Sequence, residues 1–157
     1  MKAEEIIKLL KLQPHQGEGG YYVETYRSAE MHGDRALATA IYYLLTPKTF
    51  SAIHRIRSDE TWHFYLGDPV ELLVLHPNGP AELVILGADL AKGQRPQVTV
   101  PKGCWQGARL ASGGTRALLG TTCAPAFDFA DLKTGRRAAL TADHPAFAQM
   151  IRDLTRE

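Results

Sequence analysis

From residue 21 to residue 123 the chain is cut by turn residues into short runs rich in aromatic and β-branched side chains. Runs of this length at this spacing predict an antiparallel sandwich or barrel and leave no room for a helical core. Residues 21–26, 37–45, 50–57, 61–66, 70–76, 81–86 and 97–100 are read as strands. Residues 29–36 read as a hairpin loop, and Pro77-Asn78-Gly79-Pro80 is a strong turn signal. Residues 101–107 (PKGCWQG) read as a turn, followed by strands at 109–110 and 115–123 about Ser112-Gly113-Gly114.

Both ends carry helical spacing instead. Ala3, Ile6, Ile7 and Leu10 make one apolar face, with Glu4 and Glu5 in the first turn and Gln13-Pro14 as the expected stop. Phe147, Met150, Ile151 and Leu154 repeat the spacing, with Asp143 or His144 expected as N-cap ahead of Pro145. No linker or repeat divides the 157 residues, so residues 1–157 are read as a single domain.

The charge balance excludes some function classes. With 18 basic and 17 acidic residues well mixed, the chain lacks the basic stripe of a nucleic-acid binder. No apolar run approaches the roughly 18 to 20 residues of a membrane span. The first residues are interrupted by charge, unlike a signal peptide, which leads to the expectation of a cytoplasmic protein. Cys104 and Cys123 form no CxxC pair and are expected as reduced thiols, neither marked as a nucleophile.

Chemistry concentrates in residues 50–67, FSAIHRIRSDETWHFYLG. His54 and Glu60 lie on either side of a strand–turn–strand junction, and Pro101-x-Gly103-x-x-Gln106 has a similar outline. Elements of this kind converge on one cavity in a small barrel. His54, Glu60 and Gln106 could hold a divalent metal through nitrogen and oxygen, with water in the open positions. His54 or Glu60 could equally serve as a general base without metal, in a dry pocket. If residues 60–66 are a regular strand, Glu60, Trp62 and Phe64 share one face and His63 takes the other, and a bulge after Glu60 would reverse this. Tyr22, Glu24 and Tyr26 share a face of their own strand and are candidates for a pocket wall or rim, and Tyr22 or Tyr65 is a candidate proton donor. Trp62, Phe64, Trp105, Phe127 and Phe129 are candidate apolar walls that core packing would also explain. Arg55 is a further rim candidate, yet Arg55 and Arg57 should point away from His54. His15, His32, His76 and His144 are read as structural or solvated.

Glu60 followed by six residues and Gly67 resembles the second half of the first cupin motif, and Pro101-x-Gly103 resembles the core of the second. The stretches HQGEGGYYVETYRS, FSAIHRIRSDETWHFYLGDPVELLVL, LGADLAKGQRPQVTVPKGCWQGA and CAPAFDFADL together resemble one group, the cupin 5 family of small jelly-roll cupins. The resemblance covers residues 3 to about 155. It implies an all-β double-stranded β-helix with short terminal helices, and a homodimer. The group is compared with sugar-nucleotide epimerases. Two departures matter: Ile56 stands where metal-binding cupins have a second histidine, and Gln106 stands where the second motif usually ends in histidine. The expectation is a small-molecule-binding cupin, an isomerase or epimerase working by acid–base chemistry on a sugar derivative or other small polar metabolite. Any divalent metal would be weakly bound. The alternatives are a metal-dependent lyase or oxygenase and a non-enzymatic ligand-binding protein.

Overall fold

The strand Val70–Leu75 carries buried apolar side chains on both of its faces, with the half-buried Glu71 as the one exception. Val70, Leu72 and Val74 join one core cluster, while Leu73 and Leu75 join another. A strand buried on both faces must lie between two layers. The computed structural model, which describes residues 1–156, has those layers.

One sheet has six strands, in the order Gln13–Pro14, Tyr21–Arg27, Thr39–Leu45, Ala117–Ala124, Asp59–Gly67 and Gln97–Val100. A second has five, in the order Lys133–Thr134, Ser51–Arg55, Trp105–Leu110, Val70–Leu75 and Ala81–Leu86, and Met31–His32 pairs with Arg35–Ala36 in a separate two-stranded sheet. Neighbours within each are antiparallel. The inner faces meet in a core of Tyr43, Leu45, Trp62 and Leu119 from the first sheet against Val70, Leu72, Val74 and Ala108 from the second. This is the expected all-β jelly roll.

The helices cover the outer faces. The N-terminal helix Ala3–Leu10 brings Ile6 onto Leu44 and Leu118. It stops at Lys11, whose left-handed backbone (φ 56°) lets its N–H bond Ile7 O. Gln13-Pro14 therefore does not end the helix but forms an edge strand against Tyr21 and Tyr22. At the other end there are two helices, Arg137–Asp143 and Ala148–Asp153, joined by a 3₁₀ turn at Pro145–Phe147. Asp143 belongs to the first of them, and the His144 side chain makes no capping bond. Leu140, Met150, Ile151 and Leu154 pack on Ile53, Leu73 and Leu75. Each such side chain contributes about 1.5–3 kcal/mol by leaving water.

Two local features place the functional residues. Trp105–Leu110 is a strand, where a turn was expected to run to Gly107. Gly107 is inside it because a Cβ there would stand 2.8 Å from Ile53 Cγ1. The residue marks a close approach between strands. The loop at residues 15–20 folds back on itself through His15 N–H to Gly20 O and Gly19 N–H to His15 O. It docks on the second sheet through Ala52 N–H to Glu18 O at 2.8 Å.

Gly19 has φ +106°, and a Cβ there would run into the Phe50 carbonyl oxygen and the Arg156 guanidinium. Gly33 also has positive φ, +63°, but faces open space. Gly19→Ala should therefore destabilise the protein by roughly 2–4 kcal/mol, whereas Gly33→Ala should cost about 1 kcal/mol. Urea unfolding of both variants measures the difference.

Candidate active site

His54 lies on the inner face of Ser51–Arg55, with Ile53 turned outward under the C-terminal helices. Its Nδ1 is 2.8 Å from Ala52 O, which fixes the ring and leaves Nε2 directed at two carboxyl groups. Nε2 is 3.8 Å from Glu18 Oε2 and 3.9 Å from Glu60 Oε2. All three side chains are buried.

Each carboxyl group has a neutral donor holding it. Ser51 Oγ donates to Glu18 Oε1 at 2.6 Å. Gln106 Nε2 donates to Glu60 Oε2 at 2.8 Å, while Trp62 Nε1 donates to Gln106 Oε1 at 2.7 Å. His15 completes the group, with Nε2 3.6 Å from Glu18 Oε2. Burial alone would lower the pKa of His54, but Glu18 and Glu60 outweigh it and raise the ring from 6.5 to about 9. The Cys123 thiol, opposite Glu60 in the sheet, is pushed far up by burial and then by Glu60 and Glu18. It stays a thiol and is no nucleophile.

His15, Glu18, His54, Glu60 and Cys123 line a cavity of about 680 Å³. Its deep end holds His15, Glu18, His54 and Glu60; Glu24, Arg27 and Asp128 lie at the exposed end. Tyr22 and Phe127 form part of the wall. The cavity therefore brings together His54, Glu60, Tyr22, Glu24, Phe127 and Phe129 among the residues singled out from sequence.

Other candidates have different places. Trp62 is fully buried in the core, edge-on to Tyr43 at 5.8 Å, and Phe64 packs against the same cluster. Trp105 sits on the outer side of the second sheet, under the Arg55 guanidinium at 4.5 Å. None of these three lines the cavity, because their strands direct them into the core or to the outer layer. Gln106 does not line it either and instead holds Glu60 in position. His63 faces outward, as strand parity required, stacked on Tyr65 and 3.1 Å from Thr122 Oγ1.

Contrary to the expectation of a structural or solvated side chain, His15 is buried in the cavity lining beside Glu18, a residue not singled out from sequence. Their only signal is a histidine and an acid three apart in a loop with three glycines, a geometry that exposes functional groups on a tightly turned backbone.

The donor set fits a divalent metal poorly. Ile56 offers no ligand atom, and the Gln106 oxygen is committed to Trp62. Among the described residues no three His, Cys, Asp or Glu side chains are grouped to hold an ion.

Solved structures with the same architecture include a Shewanella oneidensis protein, with TM-score 0.91 and 36% identity over 99% of this chain and 98% of that one. A hypothetical protein from Leishmania major matches with TM-score 0.91 and 34% identity over the whole of both chains. Bacillus subtilis oxalate decarboxylase shares the fold at 12% identity, with TM-score 0.59 over 92% of this chain and 38% of that one. A search of curated protein sequences gave no match. No helix among the described residues is long and apolar enough to cross a membrane. The family described as Cupin superfamily (DUF985) matches residues 4–135, and with the jelly roll and the His54–Glu60 motif in hand, the chain belongs to that family.

Proposed function

We propose that the cavity is the active site of an isomerase- or epimerase-type enzyme that acts by acid–base chemistry on a small polar metabolite, such as a sugar derivative. The observation that carries this reading is the His54 ring held between two buried carboxyl groups, at 3.8 and 3.9 Å. Proton abstraction beside a carbonyl needs a base for the C–H proton and a positive group for the oxygen that becomes negative. The raised pKa of His54 supports giving it the second role, since an imidazolium has no lone pair with which to accept a proton. Glu60, oriented by Gln106, is then the base. It takes the proton, the electron pair moves onto the carbonyl oxygen, and His54 stabilises that oxyanion by donating a hydrogen bond. Tyr22, on the cavity wall, protonates the opposite face of the carbon, which inverts it. Water at the mouth then removes the proton from Glu60 and returns one to the Tyr22 oxygen.

Sugar nucleotides fit less well than small unphosphorylated metabolites. Diphosphates need cationic contacts. Arg55 is stacked on Trp105, and Arg57 is exposed beside Asp131. Arg27, at the mouth, is held by Glu24 through two bonds of 2.9 Å. The Mn(II) centres described for Bacillus subtilis oxalate decarboxylase belong to that enzyme. With Ile56 and a committed Gln106, no step here is routed through a metal.

In D₂O, the wild-type protein should incorporate deuterium beside the carbonyl of at least one member of a panel of small hydroxy-aldehydes and hydroxy-ketones. Glu60→Gln should lower that rate about 10²–10⁴-fold while the circular dichroism spectrum is kept. A panel that gives neither exchange nor a thermal shift with wild-type protein removes the reading.

The charge on His54 also has a stability signature. Because its pKa is raised from 6.5 to about 9 on folding, its contribution is complete below 6.5 and is lost as pH rises through 9. That contribution is on the order of 3 kcal/mol. Unfolding free energies measured from pH 6 to pH 10 should fall in that window, and the fall should be absent in His54→Gln.

A further inference from the structure

The charges around the cavity do not balance. Glu18, Glu24, Glu60 and Asp128 line it against two cations, Arg27 and His54, even when His54 is counted as fully charged; Arg35, outside the lining, stands 3.9 Å from Asp128, so the surplus lies at the deep end. Arg27 is spent on Glu24 at the mouth. At the deep end two carboxyl groups share one imidazole ring. A low-dielectric recess with surplus negative charge attracts cations and repels anions more strongly than the same charges in open water.

Hydrogen bonding points the same way. His15 lines the cavity with its side chain only 3% exposed, and its Nδ1 has no hydrogen-bond partner among the described residues. Nε2 faces Glu18 Oε2 at 3.6 Å, which favours the proton on Nε2 and leaves Nδ1 as an acceptor. A buried acceptor without a donor is costly unless something supplies one. The aromatic surroundings suit a cation as well. Tyr22 and Phe129 lie 4.6 and 5.5 Å from the His15 ring, and Phe127 stands edge-on to Phe129 at 4.9 Å.

We propose that the ligand of this cavity carries a protonated amine on a small polyol or sugar frame, with the amine seated by Glu18, His15 and the aromatic wall, and that phosphorylated ligands are rejected. The proposal rests on the reading of this cavity as the working site and narrows its substrate class. An amino sugar would present both features the site addresses: a cation for the carboxyl groups, and an amine-bearing carbon beside a carbonyl for Glu60.

Isothermal titration with glucosamine, N-acetylglucosamine and glucosamine 6-phosphate tests it. These probes share a frame and differ in charge. Wild-type protein should bind glucosamine about tenfold or more tightly than the N-acetyl compound, and the 6-phosphate more weakly than glucosamine. Glu18→Gln should shrink the preference for the amine. Asp128→Asn, at an exposed rim position where asparagine can still cap the following turn, should shrink it too without endangering the fold. Equal or tighter binding of the N-acetyl compound or of the phosphate overturns the proposal, as does the absence of glucosamine binding at millimolar concentration. If glucosamine fails to bind while a neutral hydroxy-carbonyl compound exchanges deuterium, the amine inference falls and the acid–base reading stands. If the amine preference appears and no substrate exchanges, the ligand class holds and the isomerase reading falls.

Discussion

Glu18 and Glu60 are buried with a carboxyl oxygen each within 4 Å of His54 Nε2, and much of the barrel is arranged to make that tolerable. A carboxylate out of water costs several kcal/mol unless charge and hydrogen bonds compensate it. Each compensating bond also ties two parts of the chain together. Ser51 to Glu18 fastens the glycine loop to the second sheet, and the Trp62–Gln106–Glu60 relay runs from one sheet to the other. His54 stands across from Gln106, and Glu60 across from Cys123, so the polar group depends on two strand registers at once. A slip of one residue in Ser51–Arg55 would put Ile53 into the cavity and His54 under the C-terminal helices.

Most strands were legible because their apolar runs end at strong turn residues. Residues 81–86 and 97–100 are strands with the expected bounds. The errors have local causes. Gly103 and Gly107 look alike as punctuation, but Gly103 turns the chain at φ +82° while Gly107 admits a neighbouring strand. Arg137–Asp143 is a short helix with one buried residue, Leu140, too little apolar periodicity to stand out.

In the site, parity along one strand offered Glu60 inside and His63 outside but left a bulge able to reverse it; the strand runs regularly from Glu60 to His63, and His63 faces outward. Glu18 could not be found this way. Its partner Ser51 is 33 residues on, and only the docking of the loop brings them together. Gln106 was legible as a position but not as a role. That its amide serves Glu60 rather than an ion depends on where Trp62 points, which no spacing encodes. Oxalate decarboxylase shares the fold at 12% identity, and a shared jelly roll leaves the chemistry to particular side chains such as Ile56.

The clamp on the glycine loop comes from the far end of the chain. Arg156 donates to Gly17 O, Glu18 O and Phe50 O at 3.2, 3.0 and 3.4 Å, and its guanidinium lies over the Phe50 ring. Leu154 O accepts from Ile53 N–H beside it. Glu18 is 33 residues from Ser51 and 138 from Arg156, so nothing local holds the loop where the site needs it. The two carboxyl groups and the imidazole therefore leave water through tertiary docking of the loop, not through any local fold.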